Sequence, residues 1–318
     1  MINETINVTS TRKCPYNLIL GDFSYSNHYE HMLLEDLTGS FSLEFSHINE
    51  TRNFFRIEPI NDRLNTLLSY ERFNYLEYDF ERCLGEIFRC LIYKGKAYAE
   101  IAILTSEHDE IVGLDIIPIN CKKDIKLRKY IRFYGSTSNK ETIKFKINKK
   151  YLIKFDLKDI GLSRNFFSKA IKKLSKTSNI APTEFFTDEK LKKLFDYGQY
   201  SSTNDYNLIK FCKDIGWVGR NDTNQFLSNS YHLIQCIKFK KLKWRILEYL
   251  LIQINLKLSA FKSSCNFNGE IQISVKEKDY EKEYCSFYSG TTTLKSFTDY
   301  VYNYSKTTSD EVTVKDEQ

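Results

Sequence analysis

The sequence predicts an α+β fold, with antiparallel β-hairpins packed on helices and a long C-terminal helix. Three observations predict it. An amphipathic stretch with helical spacing passes through Gly95-Lys96-Ala97-Tyr98 straight into two strand-like runs. Short alternating runs separated by polar turns continue to Leu157. Apolar residues then recur every three or four positions from Ser230 to about Phe261, the spacing of a long helix.

The elements follow in chain order. Residues 1–62 read as an irregular region with short strands. Within it Phe41, Leu43, Phe45 and His47 alternate in Ser40–Ile48, the period of a half-buried strand. Residues 63–176 form the helix-plus-ribbon region. From Arg63 to Tyr93, Leu64, Leu67, Leu68, Phe73, Leu76, Phe80, Leu84, Ile87 and Leu91 make one apolar stripe, so the stretch is a helix or a broken pair. Lys96–Leu104 and Ile111–Ile119 then read as a hairpin, and Lys129–Tyr134 with Thr142–Ile147 as a second one around the turn residues Gly135 and Asn139. Tyr151–Leu157 is a further strand. Ser163 is the expected N-cap of a basic helix, Arg164–Lys176. Residues 177–304 are mainly helical, with short helices at Asp188–Tyr197 and Asn204–Ile215, the long helix, a strand at Glu270–Val275 and an aromatic stretch at Leu294–Tyr304. Residues 305–318 form a polar tail.

Composition narrows the function classes. With 318 residues, 42% hydrophobic and 28% charged, the chain suits a globular protein with a sizeable core. A net charge of +6 permits an acidic partner without demanding one. The 8 cysteines are scattered with no CxxC, and the N-terminus lacks an apolar secretory core. Free thiols, a cytoplasmic or virion location rather than secretion, and no membrane partner are the expectations. The most apolar run, Tyr249–Leu258, is too short to span a bilayer.

Candidate chemistry is sparse. His28 and His31 would share a helix face, but no third ligand stands at a diagnostic spacing, so no metal site is assigned. Asp115 and Glu100 would lie across the first hairpin, and Asp279, Glu281, Lys282 and Glu283 cluster. Either group would serve a metal-dependent nuclease only if acids converged from different elements, and solvated charges are the simpler reading. Gly216-Trp217-Val218-Gly219-Arg220 lacks the Lys-Ser/Thr of a phosphate loop and reads as a turn with a packed Trp217. No catalytic residue and no cofactor is assigned. The basic runs are the main candidates for a partner: Lys169, Lys172, Lys173 and Lys176 on one helix, and Lys238, Lys240, Lys241, Lys243 and Arg245 on the long one. Such faces hold phosphates by charge without reading sequence, although a solvated helix face is the commoner meaning of a charge run.

The stretch Phe73–Lys176 resembles the portal proteins of tailed bacteriophages. The residues that carry the resemblance are Gly95-Lys96-Ala97-Tyr98-Ala99-Glu100-Ile101, then Ile111-Val112-Gly113-Leu114 and Ile117-Pro118-Ile119, and later Gly161-Leu162-Ser163 before a helix. Lys96 stands where the family usually has Asn. The resemblance implies a non-enzymatic structural subunit that forms a homo-oligomeric ring for passage of double-stranded DNA during packaging, alongside other virion or host proteins. Gly95, Ala97, Tyr98, Pro118, Gly161 and Ser163 would be its structural motif. Two other readings stay open: a nucleic-acid-acting effector or nuclease, such as one in phage defence, and a portal-derived adaptor that binds another protein.

Overall fold

One ten-residue strand organises the molecule. In the computed structural model, which describes residues 9–11, 28–39, 54–69, 76–120, 122–136, 142–175, 197–220, 226–274 and 276–302, β3 (Lys96–Thr105) pairs antiparallel with β4 (Ile111–Pro118) along one edge. Its other edge carries β8 (Leu152–Asp156) at one end and the short β1 (Thr9–Ser10) at the other. Alternation gives β3 two different faces. Ala97, Ala99, Ile101 and Ile103 join the main core with the helices. Tyr98 and Ala102 join a second core, with Ile131, Phe133, Phe145 and Ile147 from another sheet. Both faces are therefore covered, which explains a strand buried along nearly its whole length.

That other sheet has three antiparallel strands, β5 (Lys122–Lys126), β6 (Tyr130–Ser136) and β7 (Thr142–Asn148). The expected hairpin is present as β6 and β7, and β5 adds a strand that spacing did not reveal. Its solvent side alternates with its buried side, and Phe133 and Phe145 stack across the strands inside, with centroids 5.8 Å apart.

Helices surround the main core. The apolar stripe of 63–93 is divided, giving α2 (Asp62–Ser69) and α3 (Leu76–Lys94); α1 (His28–Thr38) packs against α3. After β8 a 3-10 turn (Leu157–Ile160) leads to α4 (Phe166–Leu174). The expected start of this helix at Ser163 is corrected. Asn165 takes the N-cap position without a side-chain cap bond, and Ser163 serves through its backbone carbonyl, which accepts from Phe166 N at 3.0 Å. The cause is Arg164, whose side chain is committed to Asp156 and whose backbone lies against Gly95, so the chain cannot coil until it has passed that point.

Next come α5 (Tyr197–Cys212), then α6 (Asn229–Leu258), the expected long helix, capped by the Ser228 side chain. A 3-10 turn and the short α7 (Lys262–Cys265) follow. Strand β9 (Glu270–Ile273) pairs with β2 (Phe55–Glu58), joining distant parts of the chain. Asn255 of α6 closes the free edge of β9 from both sides, donating to Ile271 O at 2.7 Å and accepting from Ile271 N at 2.9 Å, which leaves that backbone no room for another strand.

The C-terminal part holds α8 (Tyr280–Tyr288) and α9 (Leu294–Tyr302). The acidic cluster at 279–283 is the start of α8: Asp279 caps it by accepting from Lys282 N, and Glu281 and Glu283 lie in the first turn, where the helix dipole favours negative charge. The strand expected at 40–48, the helix expected at Asp188–Tyr197 except its last residue, which begins α5, and the tail from 305 lie outside the described residues. Among the described residues, Cys83, Cys90, Cys212, Cys236, Cys265 and Cys285 are free thiols. Burial pushes Cys90 up to about 11 and Cys212 up to about 12, as for inert packed thiols. No helix among the described residues is long and apolar enough to cross a membrane.

Candidate functional site: the helix–ribbon joint and the basic helices

Two of the steps singled out in the sequence, Gly95–Tyr98 and Gly161–Ser163, meet at one place. Gly95 ends α3 in the left-handed region, φ +66°, with its N–H donated to Leu91 O at 2.8 Å. A Cβ there would lie 2.5 Å from Arg164 Cβ and 2.6 Å from Arg164 Cα, so only glycine lets the two backbones touch. Leu157 N donates to Gly95 O at 3.1 Å and ties the same point to the far strand. Gly161, φ +75°, closes the 3-10 turn just before Arg164. Ala97 stands opposite Phe155 in the main core, and Tyr98 packs edge-on to Phe133 in the second. Pro118 ends β4 opposite Ala99, where a missing N–H costs the ladder least.

Asp156 is the polar centre of this joint. It is 2% exposed and stands opposite Lys96 in the β3–β8 register. Arg164 grips it through two nitrogens, Nε to Oδ1 at 3.0 Å and the terminal amine to Oδ2 at 2.6 Å. Lys154 stands 3.4 Å and Lys96 3.8 Å from Oδ2, and Lys158 N donates at 3.3 Å. The Arg164 hydrogen bonds, helped by the Lys158 N–H and nearby lysine charge, hold the carboxyl well below the usual carboxylate range against the opposing effect of burial. Tyr249 of α6 completes the contact. It accepts from Asp156 N and donates to Asp159 Oδ2, both at 2.8 Å, and burial pushes its phenol well up. A carboxylate this fully occupied is a lock rather than a proton-transfer group.

The basic run of α6 is bound to neighbouring elements, with Lys243 buried and Lys238 and Arg245 exposed. Lys243 is 1% exposed and donates to Asp36 O, in the last turn of α1, at 2.8 Å. Lys240 donates to Val301 O in the last turn of α9 at 2.9 Å, and Lys238 to Lys213 O just past the end of α5 at 2.9 Å. Arg245 donates to Ile160 O at the end of the 3-10 turn at 2.5 Å, and Lys241 pairs with Glu281 at 2.5 Å. Helix C-termini present unpaired carbonyls and negative dipole ends. Four cations of one helix thus cap four neighbouring elements. On α4, Lys169, Lys172 and Lys173 are exposed, opposite the buried Phe167, Ala170, Ile171 and Leu174, and Lys173 lies over the Phe211 ring at 5.8 Å. Lys176 lies outside the described residues.

The remaining candidates are also placed. Glu100 and Asp115 share a face of the β3–β4 ribbon, since Asp115 stands opposite Ala102, but they are 2% and 7% exposed and shut away from a dissolved substrate. His31 pairs with Glu35 along α1 at 3.3 Å, and no group of metal-ligating side chains occurs among the described residues. Gly216, φ +86°, lies against the α6 backbone, and the buried Trp217 donates to Asp36 Oδ2 at 2.8 Å. Arg220 binds Asp36 and Glu35, so the glycine loop clamps the end of α1. A cavity of about 760 Å³ lies beside α6, walled by Phe166, Trp244, Tyr280 and Tyr284, with the Lys241–Glu281 pair on its rim.

The chain matches no family model and no curated protein. Sequence reading missed Asp156 as the centre of the joint. Its only local signal is an acidic residue at the end of an apolar strand, and the cations that mark it come from three other positions in the chain.

Proposed function

We propose that the chain is a portal-like structural subunit of a tailed bacteriophage, acting as a homo-oligomeric ring through which DNA passes. One observation carries the reading. The Gly95–Tyr98 step and the Gly161–Ser163 step, more than sixty residues apart, pack into a single joint around Asp156 and Arg164. The resemblance includes those two steps, and their meeting is consistent with one structural unit. The joint fixes a helix, a β-ribbon and a second helix at set angles. A ring needs such rigidity, because each copy must present the same two surfaces to its neighbours.

The test is the mass of the purified protein in solution, by mass photometry over a range of concentration and salt. A uniform species many times 37.6 kDa supports the ring. A monomer or dimer that persists at every concentration overturns it.

A further inference from the structure

We propose that the cleft between α6, α8 and the start of α4 binds a small amphipathic cation, an ammonium carried on an apolar or aromatic body. This occupancy does not depend on ring assembly or on DNA. Size is the first observation. The cleft holds about 760 Å³, within the roughly 300–1,000 Å³ of small-molecule sites. Its α6 wall runs from Ile234 to Glu248, about 21 Å of helix. Spread along that length, the volume averages about 36 Å² in cross-section, less than half that of a helix about 10–12 Å wide. A docking helix is therefore too thick, and a slender molecule lying lengthwise fits.

The walls are the second observation. Phe166, Trp244, Tyr280 and Tyr284 bring four rings from three helices to one space. Trp244 and Tyr280 are 4% and 5% exposed, so packing holds these walls in place. Aromatic rings offer apolar area to an alkyl or aryl body, and their faces attract a cation.

Charge is the third. Glu277, just before α8, lies within electrostatic reach of Glu248, Glu281 and Lys241. Glu281 pairs with Lys241 at 2.5 Å. At this end of the cleft three carboxylates therefore share one ammonium, and the local balance is negative. Glu248 and Glu277 are exposed at the mouth and make no hydrogen bond or ion pair among the described residues. Partial burial, with the Glu248 and Glu281 charges, pushes the Glu277 carboxyl up against the opposing pull of Lys241. Of the other charged lining residues, Lys238 and Arg245 are tied to Lys213 O and Ile160 O, and Asp214 follows Lys213 directly. An ammonium seated between Glu248 and Glu277 relieves the crowding of carboxylates while its body lies against the rings.

The experiment is a ligand-observed NMR titration of the full chain with phenylbutylamine, phenylbutanol and phenylbutyrate, which share one body and differ in head charge. The amine is expected to bind with a Kd of about 1 mM or below, the range of a good fragment. The alcohol is expected to bind about tenfold more weakly, and the carboxylate more weakly still. In Glu248→Gln/Glu277→Gln the amine is expected to fall to within about twofold of the alcohol, whose own affinity stays unchanged. Lys241→Gln removes the competing ammonium and is expected to tighten the amine about threefold. Glu110→Gln, in the exposed turn between β3 and β4, is expected to bind like the unaltered chain. No amine binding up to about 10 mM, carboxylate binding as tight as the amine, or unchanged amine affinity in the Glu248/Glu277 variant would overturn the proposal. Displacement of the amine by a lysine-rich amphipathic helical peptide would give the cleft to a protein partner and overturn the small-molecule assignment.

Discussion

Helix α6 and the β5–β6–β7 sheet are both dense in lysine, yet their cations are used in opposite ways. On α6, Lys238, Lys240, Lys243 and Arg245 reach the carbonyl ends of four neighbouring elements, and Lys243 is sealed in. On the sheet, Lys144 and Lys146 are exposed and stand opposite Tyr134 and Arg132. A charge run in a sequence therefore has no fixed meaning. On a central helix it is surrounded by the orphan carbonyls of other helices and is absorbed by them. On the outer face of the sheet the ladder already satisfies the backbone, and Lys144 and Lys146 stay at the surface.

The comparison breaks most sharply at Lys243. Lys243→Glu places a carboxylate against Asp36 O in a site with 1% exposure, and is expected to destabilise by about 3 to 5 kcal/mol, read from urea denaturation. A change below about 1 kcal/mol would mean that α6 does not hold α1 through this bond.

Asp156 gives the next largest effect. Its folded-state pKa is depressed, chiefly by the Arg164 hydrogen bonds, so its stabilisation is fully present above the unfolded carboxylate value of about 3.9 and is lost as pH falls below it. Asp156→Asn is expected to cost about 2 kcal/mol at pH 7 and to flatten the fall in stability on acidification. Denaturation curves from pH 7 to pH 3 measure both, and an unchanged acid slope would remove Asp156 from the joint.

The smallest effect sharpens the contrast. Lys144→Glu/Lys146→Glu is expected to change stability by less than about 0.5 kcal/mol, or to raise it slightly, because Arg132 gains an opposite charge. A large loss would make the sheet cations structural, as those of α6 are.

Much of the fold was legible. The stripe of α3, the Gly95 step, the two strands after it and the long apolar spacing of α6 are local patterns, and local pattern is what a sequence displays. The start of α4 was not, because Ser163 is a good N-cap by type but Arg164 is held at the joint by Asp156 and Gly95. Helix α8 was hidden behind acids that read as loop charge until Asp279 is seen capping it. The sheet's charge was countable from 122 to 154, but which of it faces solvent needed the register of β6 and β7.

What the sequence determined alone was the kind of element at most positions and the glycine points where the chain must turn. Which cations are spent inside the molecule and which face outward was decided only by the tertiary structure. The reason is physical. A lysine's role depends on whether a carbonyl end or open water lies within reach of its ammonium group, and that neighbour comes from another part of the chain.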